Sequence, residues 1–250
     1  MRDAEPLVRV HPHGALVLVT PPAPLALEGE LAGERATPWR ATLTDEEWAL
    51  LCALVPGRRP TWWAGRTALA AALAAAGAPR TPLTSDHRGA PVVPAGYSGS
   101  ISHKPSLACA LAEPTDGAHV GVDVEHLEAP RVAIGKRVLT PAEQVVVGDD
   151  PVALMARFSI KESIYKAVDR FVGRYVAFPE AEILALPAAP PAASWAQATF
   201  VGVAATLTMS KGEGPFDVEA TWARVGTVVV STARVRPRAI SPLVGPTSRP

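Results

Sequence analysis

Asparagine is missing from this chain, lysine occurs only five times among 24 basic residues, and there are two cysteines. Two cysteines build no disulfide framework, and 250 residues at 48% hydrophobic content need none to bury a core. Cys52 and Cys109 lie in the apolar runs Ala49-Leu50-Leu51-Cys52-Ala53-Leu54 and Leu107-Ala108-Cys109-Ala110-Leu111, so both read as inert core thiols. Long hydrophobic runs are also lacking. The stretch Ala68 to Ala76 is far short of the ~20 residues that a membrane span requires. The N-terminal run Ala15 to Val19 is cut by Pro21-Pro22 and has no basic segment before it, so no secretory leader and a cytoplasmic location are expected. Acidic and basic residues balance at 24 each, with a pI near 7.0. That balance excludes bulk attraction to nucleic acid or to an anionic membrane, so any bound anion must be held locally. No G-x-x-x-x-G-K-[ST] loop, H-E-x-x-H or G-x-S-x-G occurs, which removes the main support for a P-loop NTPase, a zincin or an α/β-hydrolase.

Punctuation along the chain predicts its elements. Residues 1–43 read as short strands and Pro-rich loops. Thr44 and Glu47 form a capping box that starts a helix reaching about Leu54, and a second helix runs from about Thr61 to Ala76 and stops at Gly77. Residues 81–99 are rich in Pro and Gly and read as an ordered loop. Leu107 to Ala112 and Val120 to Leu127 read as strands, and the turn at Glu113 to Gly117 makes them the strongest hairpin signal. Thr140-Pro141-Ala142-Glu143 caps a short helix, and Pro151 opens a longer one ending near Gly173. Residues 184–196 read as a surface connection, followed by strands over 198–209, 216–224 and 227–235. A tail beyond Pro237 is expected to be disordered. Helices and strands interrupted in this way favour an α+β fold over regular alternation.

Three of the few lysines, Lys104, Lys161 and Lys166, fall in segments that carry chemistry. In Gly121-Val122-Asp123-Val124-Glu125, strand alternation puts both carboxylates on one face, opposite Val120, Val122 and Val124. In Phe158-Ser159-Ile160-Lys161-Glu162-Ser163-Ile164-Tyr165-Lys166, helical spacing aligns Phe158, Glu162 and Lys166. Asp123, Glu125 and Glu162 are hard oxygen donors with no His or Cys nearby, which suits Mg²⁺ or Mn²⁺ rather than Zn²⁺. Lysines beside a metal carboxylate suit a di- or polyphosphate ligand and phosphoryl-type transfer. Taken alone, an Asp-x-Glu on a strand is usually a solvated face and a Lys-Glu on a helix usually a surface ion pair, but the combination is less easily dismissed.

Taken in order, Trp63-Ala64-Gly65-Arg66, the loop Arg88 to Gly96, Ser100-Ile101-Ser102-His103, Gly121 to Glu125 and Phe158 to Lys166 resemble the 4'-phosphopantetheinyl transferases, in the branch of the surfactin- and enterobactin-synthase activators. The resemblance implies two similar α+β halves in a pseudo-twofold arrangement with coenzyme A in the cleft between them. Residues 1–118 would form the nucleotide-side half, residues 119–237 the metal and pyrophosphate half, and residues 238–250 a tail. It implies that a serine of an apo acyl or peptidyl carrier protein attacks the pantetheine-side phosphorus of coenzyme A, releasing 3',5'-ADP. Asp123, Glu125 and Glu162 would bind Mg²⁺, or Mn²⁺ by the same ligand chemistry. Lys166 would hold the phosphates, Lys161 would add charge, and Glu162 would take the serine proton directly or through a water. Arg66, Arg88, Ser102 and His103 would contact the nucleotide, with His87 the alternative to Arg88. Arg131, Lys136, Arg137, Arg157, Arg170 and Arg174 would form a basic rim for an acidic carrier domain, and a monomer is expected. The residues themselves leave two other readings open. One is a Mg²⁺-dependent nucleotide pyrophosphate hydrolase, and the other is a non-catalytic module that binds coenzyme A or a carrier protein.

Overall fold

A computed structural model describes residues 6–21, 37–130 and 133–239. Its N-terminal part contains strands β1 (Leu7–His11) and β2 (Gly14–Val19), helices α1 (Thr37–Ala41), α2 (Asp45–Ala53) and α3 (Arg59–Ala75), and strands β3 (Tyr97–Lys104) and β4 (Leu107–Pro114). The rest contains β5 (His119–His126), α4 (Gly135–Val138), α5 (Pro141–Val147), α6 (Pro151–Val172), β6 (Ala181–Ala185), β7 (Pro191–Ala192), β8 (Val201–Leu207), β9 (Phe216–Val225) and β10 (Val228–Pro237).

The strands form two sheets, one ordered β1-β2-β4-β3 and the other β5-β10-β9-β8-β6, with β7 pairing with β9. This is an α+β fold. Helix α3 covers the outer face of the first sheet, where Ala64, Ala68, Leu69 and Ala72 pack on Val17, Val19, Ala108 and Ala110. Helix α6 covers the second, with Ile160, Ile164, Ala167 and Val168 against Ala220, Val229 and Ala233. The inner faces share a core in which Leu16, Leu18 and Leu111 meet Val120, Val122, Val124 and Val230. The run Leu16 to Val19 is therefore buried on both faces, which accounts for its lack of alternation.

Both predicted capping boxes form. The Thr44 hydroxyl accepts from Glu47 N at 3.2 Å, and that of Thr140 accepts from Glu143 N at 3.3 Å. Gly173 ends α6 in the left-handed conformation with φ 60°. The predicted hairpin does not form. Both of its strands exist, but β4 lies between β2 and β3, whereas β5 pairs with β10 in the other sheet. The Glu113 to Gly117 turn thus carries the chain from one sheet to the next. Helix α1 and strand β6 were not predicted. The expected tail falls almost entirely outside the described residues, as do Arg131 and residues 22–36.

The sheets meet at the edge strands β3 and β5 through side chains. Alternate serines of β3 face alternate amides of β5, so that Val120 N donates to Ser98 Oγ at 3.0 Å, Val122 N to Ser100 Oγ at 3.1 Å and Val124 N to Ser102 Oγ at 3.3 Å. Hydroxyls here satisfy backbone donors that a main-chain ladder satisfies elsewhere.

Candidate active site

Beside this seam is a cleft of about 620 Å³ that both parts of the chain line, with Arg88 to Pro91 and Gly99 to Ile101 on one side and Glu162, Tyr165, Lys166, Asp169 and Arg170 of α6 on the other. Ile134, Val138, Phe158, Tyr175, Val176 and Phe178 add apolar and aromatic surface to its lining, alongside Arg137 and Arg174. Gly121 brings α6 to this position. A Cβ at Gly121 would lie 1.8 Å from Ser163 O and 2.9 Å from Ala167 N, so the helix rests directly on the β5 backbone. The neighbouring turns of α6 then place Glu162 and Lys166 over Asp123.

Asp123 is 3% exposed. Its Oδ1 accepts from Lys166 Nζ at 2.7 Å and from Ser102 Oγ at 2.8 Å, whereas Oδ2 is buried without a hydrogen-bond partner. Lys166 Nζ also donates to Val122 O at 3.0 Å. Lys104 Nζ donates to Glu125 Oε1 at 2.5 Å. Desolvation raises the Glu162 pKa, and repulsion from Asp123 and Glu125 adds to it against the pull of Lys166. Desolvation disfavours the charge on Lys166, but Asp123, joined by Glu162, outweighs it and leaves the pKa raised. Glu125 is raised mainly by desolvation, with Lys104 opposing. The site therefore holds the firmly charged Lys166 ammonium beside two carboxyl groups, Glu125 and Glu162, that take up protons more readily than usual.

A cationic wall continues from Lys166. The His103 pKa is lowered by desolvation and by Lys166, Arg58, Lys104 and Arg66. Arg66 is buried, its Nη2 donates to Ser85 Oγ at 2.7 Å, and its guanidinium stacks over Trp62 at 5.1 Å. The loop that carries Arg88 is strapped to α6 across the cleft. Arg88 Nη2 donates to Asp169 Oδ1 at 2.5 Å, and Arg170 donates to Asp86 Oδ2 at 3.4 Å and to Pro91 O at 2.6 Å.

Of the residues singled out in the sequence, Arg88, Glu162 and Lys166 line the cleft, and Asp123, Glu125, Ser102 and His103 adjoin them through the contacts above. Lys161 corrects its expectation. Its side chain is 0% exposed, and Nζ donates to Glu143 Oε2 at 2.6 Å, Val138 O at 2.8 Å and Phe178 O at 3.2 Å. All three N–H bonds are used inside the protein, so none is free for a phosphate. The Ser102 hydroxyl donates to Asp123 Oδ1. The basic rim shrinks as well. Arg157 is buried, Arg174 is held by Glu180 and Glu213, and Lys136 and Arg137 remain exposed. Cys109 is a buried thiol whose pKa desolvation raises, and Cys52 is half-buried.

Arg58 and the serine alternation were missed. Arg58 lies in a 3-10 turn just before α3, where nothing local marks it, whereas Ser98, Ser100 and Ser102 recur at a strand period that was readable.

The orphaned Asp123 Oδ2 is the kind of hard oxygen donor that a Mg²⁺-type cation takes. As placed, no three acidic, His or Cys side chains among the described residues form a ready-made metal cluster, and Lys104 and Lys166 pair with Glu125 and Asp123. Among the described residues no helix is long and apolar enough to cross a membrane.

Residues 119–209 match the 4'-phosphopantetheinyl transferase superfamily, and residues 46–113 match the 4'-phosphopantetheinyl transferase N-terminal domain. The chain is 32% identical over 156 residues to "4'-phosphopantetheinyl transferase Svp" of Streptomyces mobaraensis, covering 58% of this chain and 62% of that protein. It is 30% identical over 138 residues to "4'-phosphopantetheinyl transferase Npt" of Nocardia iowensis, covering 54% and 62%. It is 34% identical over 116 residues to "Enterobactin synthase component D" of Salmonella typhi, covering 44% and 48%. The matches thus span 62% of the first two relatives and 48% of the third. Among solved structures, the Chronobacterium ammoniagenes ACPS-CoA complex is 19% identical with a TM-score of 0.35, covering 50% of this chain and 100% of that one. The two family matches meet between β4 and β5, where the chain passes from one sheet to the other, and this chain belongs to the 4'-phosphopantetheinyl transferase superfamily.

Proposed function

We propose that this chain transfers the 4'-phosphopantetheine group of coenzyme A to a serine of an apo acyl or peptidyl carrier protein, releasing 3',5'-ADP. The observation that carries the reading is Asp123, whose Oδ1 is held by Lys166 and whose buried Oδ2 is unpaired, beside a cleft that Lys166 and Glu162 line. Asp123, Glu125 and Glu162 would hold Mg²⁺ or Mn²⁺. When bound, the cation neutralises pyrophosphate charge that lysine alone does not balance.

The chain's own groups do the rest. Lys166, charged because Asp123 and Glu162 outweigh its desolvation, stabilises the phosphate oxygen that leaves with 3',5'-ADP. Glu162, whose carboxylate is made a stronger base by burial and by like charge, takes in its ionised form the proton of the attacking serine hydroxyl as the new P–O bond forms and the bond to 3',5'-ADP breaks. Arg66, Arg58 and Arg88 supply the positive surroundings for the nucleotide's phosphates, with His103 among them as a neutral ring. The apolar part of the cleft lining, Phe158 and Phe178 among it, suits the uncharged pantetheine arm. In this reading residues 1–118 serve the nucleotide and residues 119–237 the cation and pyrophosphate, in a cytoplasmic monomer.

Incubating the protein with apo carrier protein, coenzyme A and Mg²⁺ should add one phosphopantetheine mass to the carrier. Carriers of fatty-acid, polyketide and nonribosomal peptide type that all remain unmodified would contradict the reading. Release of 3',5'-ADP without any carrier would point to hydrolysis instead.

A further inference from the structure

Ser98, Ser100 and Ser102 make the same stitch to β5, each accepting from one backbone amide. The hydroxyl protons distinguish them. Ser98 Oγ faces His119 Nδ1 at 3.3 Å, whereas Ser102 Oγ donates to Asp123 Oδ1 at 2.8 Å and is 8% exposed. A serine hydroxyl has one proton, and that of Ser102 is committed to a carboxylate.

The consequence lies in the geometry of Asp123. A carboxylate that rests on Lys166 alone can pivot about that contact, because the ammonium is a compact charge on a flexible stem. With a second donor on the same oxygen, from a residue whose own position is fixed by Val124 N, the carboxylate is held from two directions. What remains is Oδ2, buried and without a partner. An unpaired buried carboxylate oxygen costs free energy, so its orientation is maintained by its neighbours rather than by its own preference.

We propose that Ser102 is a positioning residue for the cation site, locking Asp123 through Oδ1 so that Oδ2 is presented to the metal. This rests on the assignment of Asp123 as a cation ligand in the preceding section. It makes the third stitch of the seam both a joint between the sheets and an outer support of the metal site, the kind of partner that typically sets affinity.

The test uses the full chain and Mn²⁺, whose binding is read directly by electron paramagnetic resonance without turnover. Ser102→Ala should weaken Mn²⁺ binding about 10- to 100-fold. Its lost activity should return at saturating Mg²⁺, and its preference for coenzyme A over 3'-dephospho-coenzyme A should equal that of the unmodified chain. Ser98→Ala removes a comparable stitch from the same seam without touching Asp123. It should lower thermal stability as Ser102→Ala does but leave Mn²⁺ affinity unchanged.

Unchanged Mn²⁺ affinity in Ser102→Ala, with a reduced preference for coenzyme A over its 3'-dephospho form, would overturn the proposal in favour of a nucleotide contact. Equal loss of Mn²⁺ binding in Ser98→Ala and Ser102→Ala would overturn it in favour of a merely structural seam. Mn²⁺ binding that survives Asp123→Ala would overturn the cation assignment itself, a failure separate from the other two.

Discussion

Gly121 and Ser163 are in direct contact: the β5 backbone at Gly121 lies so close to Ser163 O that a Cβ would be 1.8 Å from it. That contact sets the height of α6 over β5, and with it the reach of Lys166 to Asp123. Gly121→Ala must push the helix away and is expected to cost about 1–3 kcal/mol, with a larger proportional loss of activity than of stability. Urea denaturation and the carrier-modification rate, measured on the same preparation, check this. Full activity with an unchanged midpoint would contradict it.

The buried Lys161–Glu143 pair makes a prediction opposite to that of a phosphate contact. Glu143 also accepts from Thr140 N at 2.7 Å and from Ile183 N at 2.9 Å, so the pair ties α5, β6 and α6 together. Lys161→Ala leaves a carboxylate buried without its cation and should destabilise the fold by about 3–5 kcal/mol. The KM for coenzyme A in the fraction that folds should stay near that of the unmodified chain. A preserved midpoint with a strongly raised KM would restore Lys161 to the phosphates.

Much of this was readable beforehand, and the failures have physical causes. Thr44 with Glu47, Thr140 with Glu143, and Gly173 act within one helical turn, so local sequence carries them. The β4–β5 hairpin failed because a turn signal gives a reversal but not a pairing partner. The partner of β5 is β10, about a hundred residues away, and is chosen by burial on both faces. Lys161 was separable in principle. It falls on the helix stripe of Ile164 and Val168, both buried, and off the stripe of Phe158, Glu162 and Lys166 that faces the cleft. The commitment of Ser102 to Asp123 was not separable, because it depends on how two sheets meet.

The strap across the cleft predicts competition. Arg88 is engaged by Asp169 at 2.5 Å, and a solvent-screened pair of this kind is weak. Asp169→Asn should therefore tighten coenzyme A binding by up to about 5-fold, while Arg88→Ala should weaken it. Isothermal titration calorimetry reads both. Weaker binding in Asp169→Asn would show that the strap supports the ligand rather than competing with it.

Acid should destabilise the fold through His11 and His13. Burial, with the charge of neighbouring groups, lowers their pKa values from 6.5 to about 3 and about 4. Both rings stay neutral when folded and take up protons when unfolded. Their contribution is complete above about pH 6.5 and is lost as pH falls toward the folded values, at about 1.4 kcal/mol per pH unit for each ring. Denaturation free energies at about pH 7 and about pH 5 should differ in that direction, and His11→Gln/His13→Gln should flatten the slope. A slope unaffected by that double variant would assign the acid lability to other groups.

The most direct test of the central claim is the stoichiometry of transfer. With apo carrier, coenzyme A and Mg²⁺, the unmodified chain should release one 3',5'-ADP for each carrier that gains phosphopantetheine, and Asp123→Ala and Lys166→Ala should suppress both products together. Undiminished carrier modification by either variant, or 3',5'-ADP formed with no carrier modified, would contradict the account.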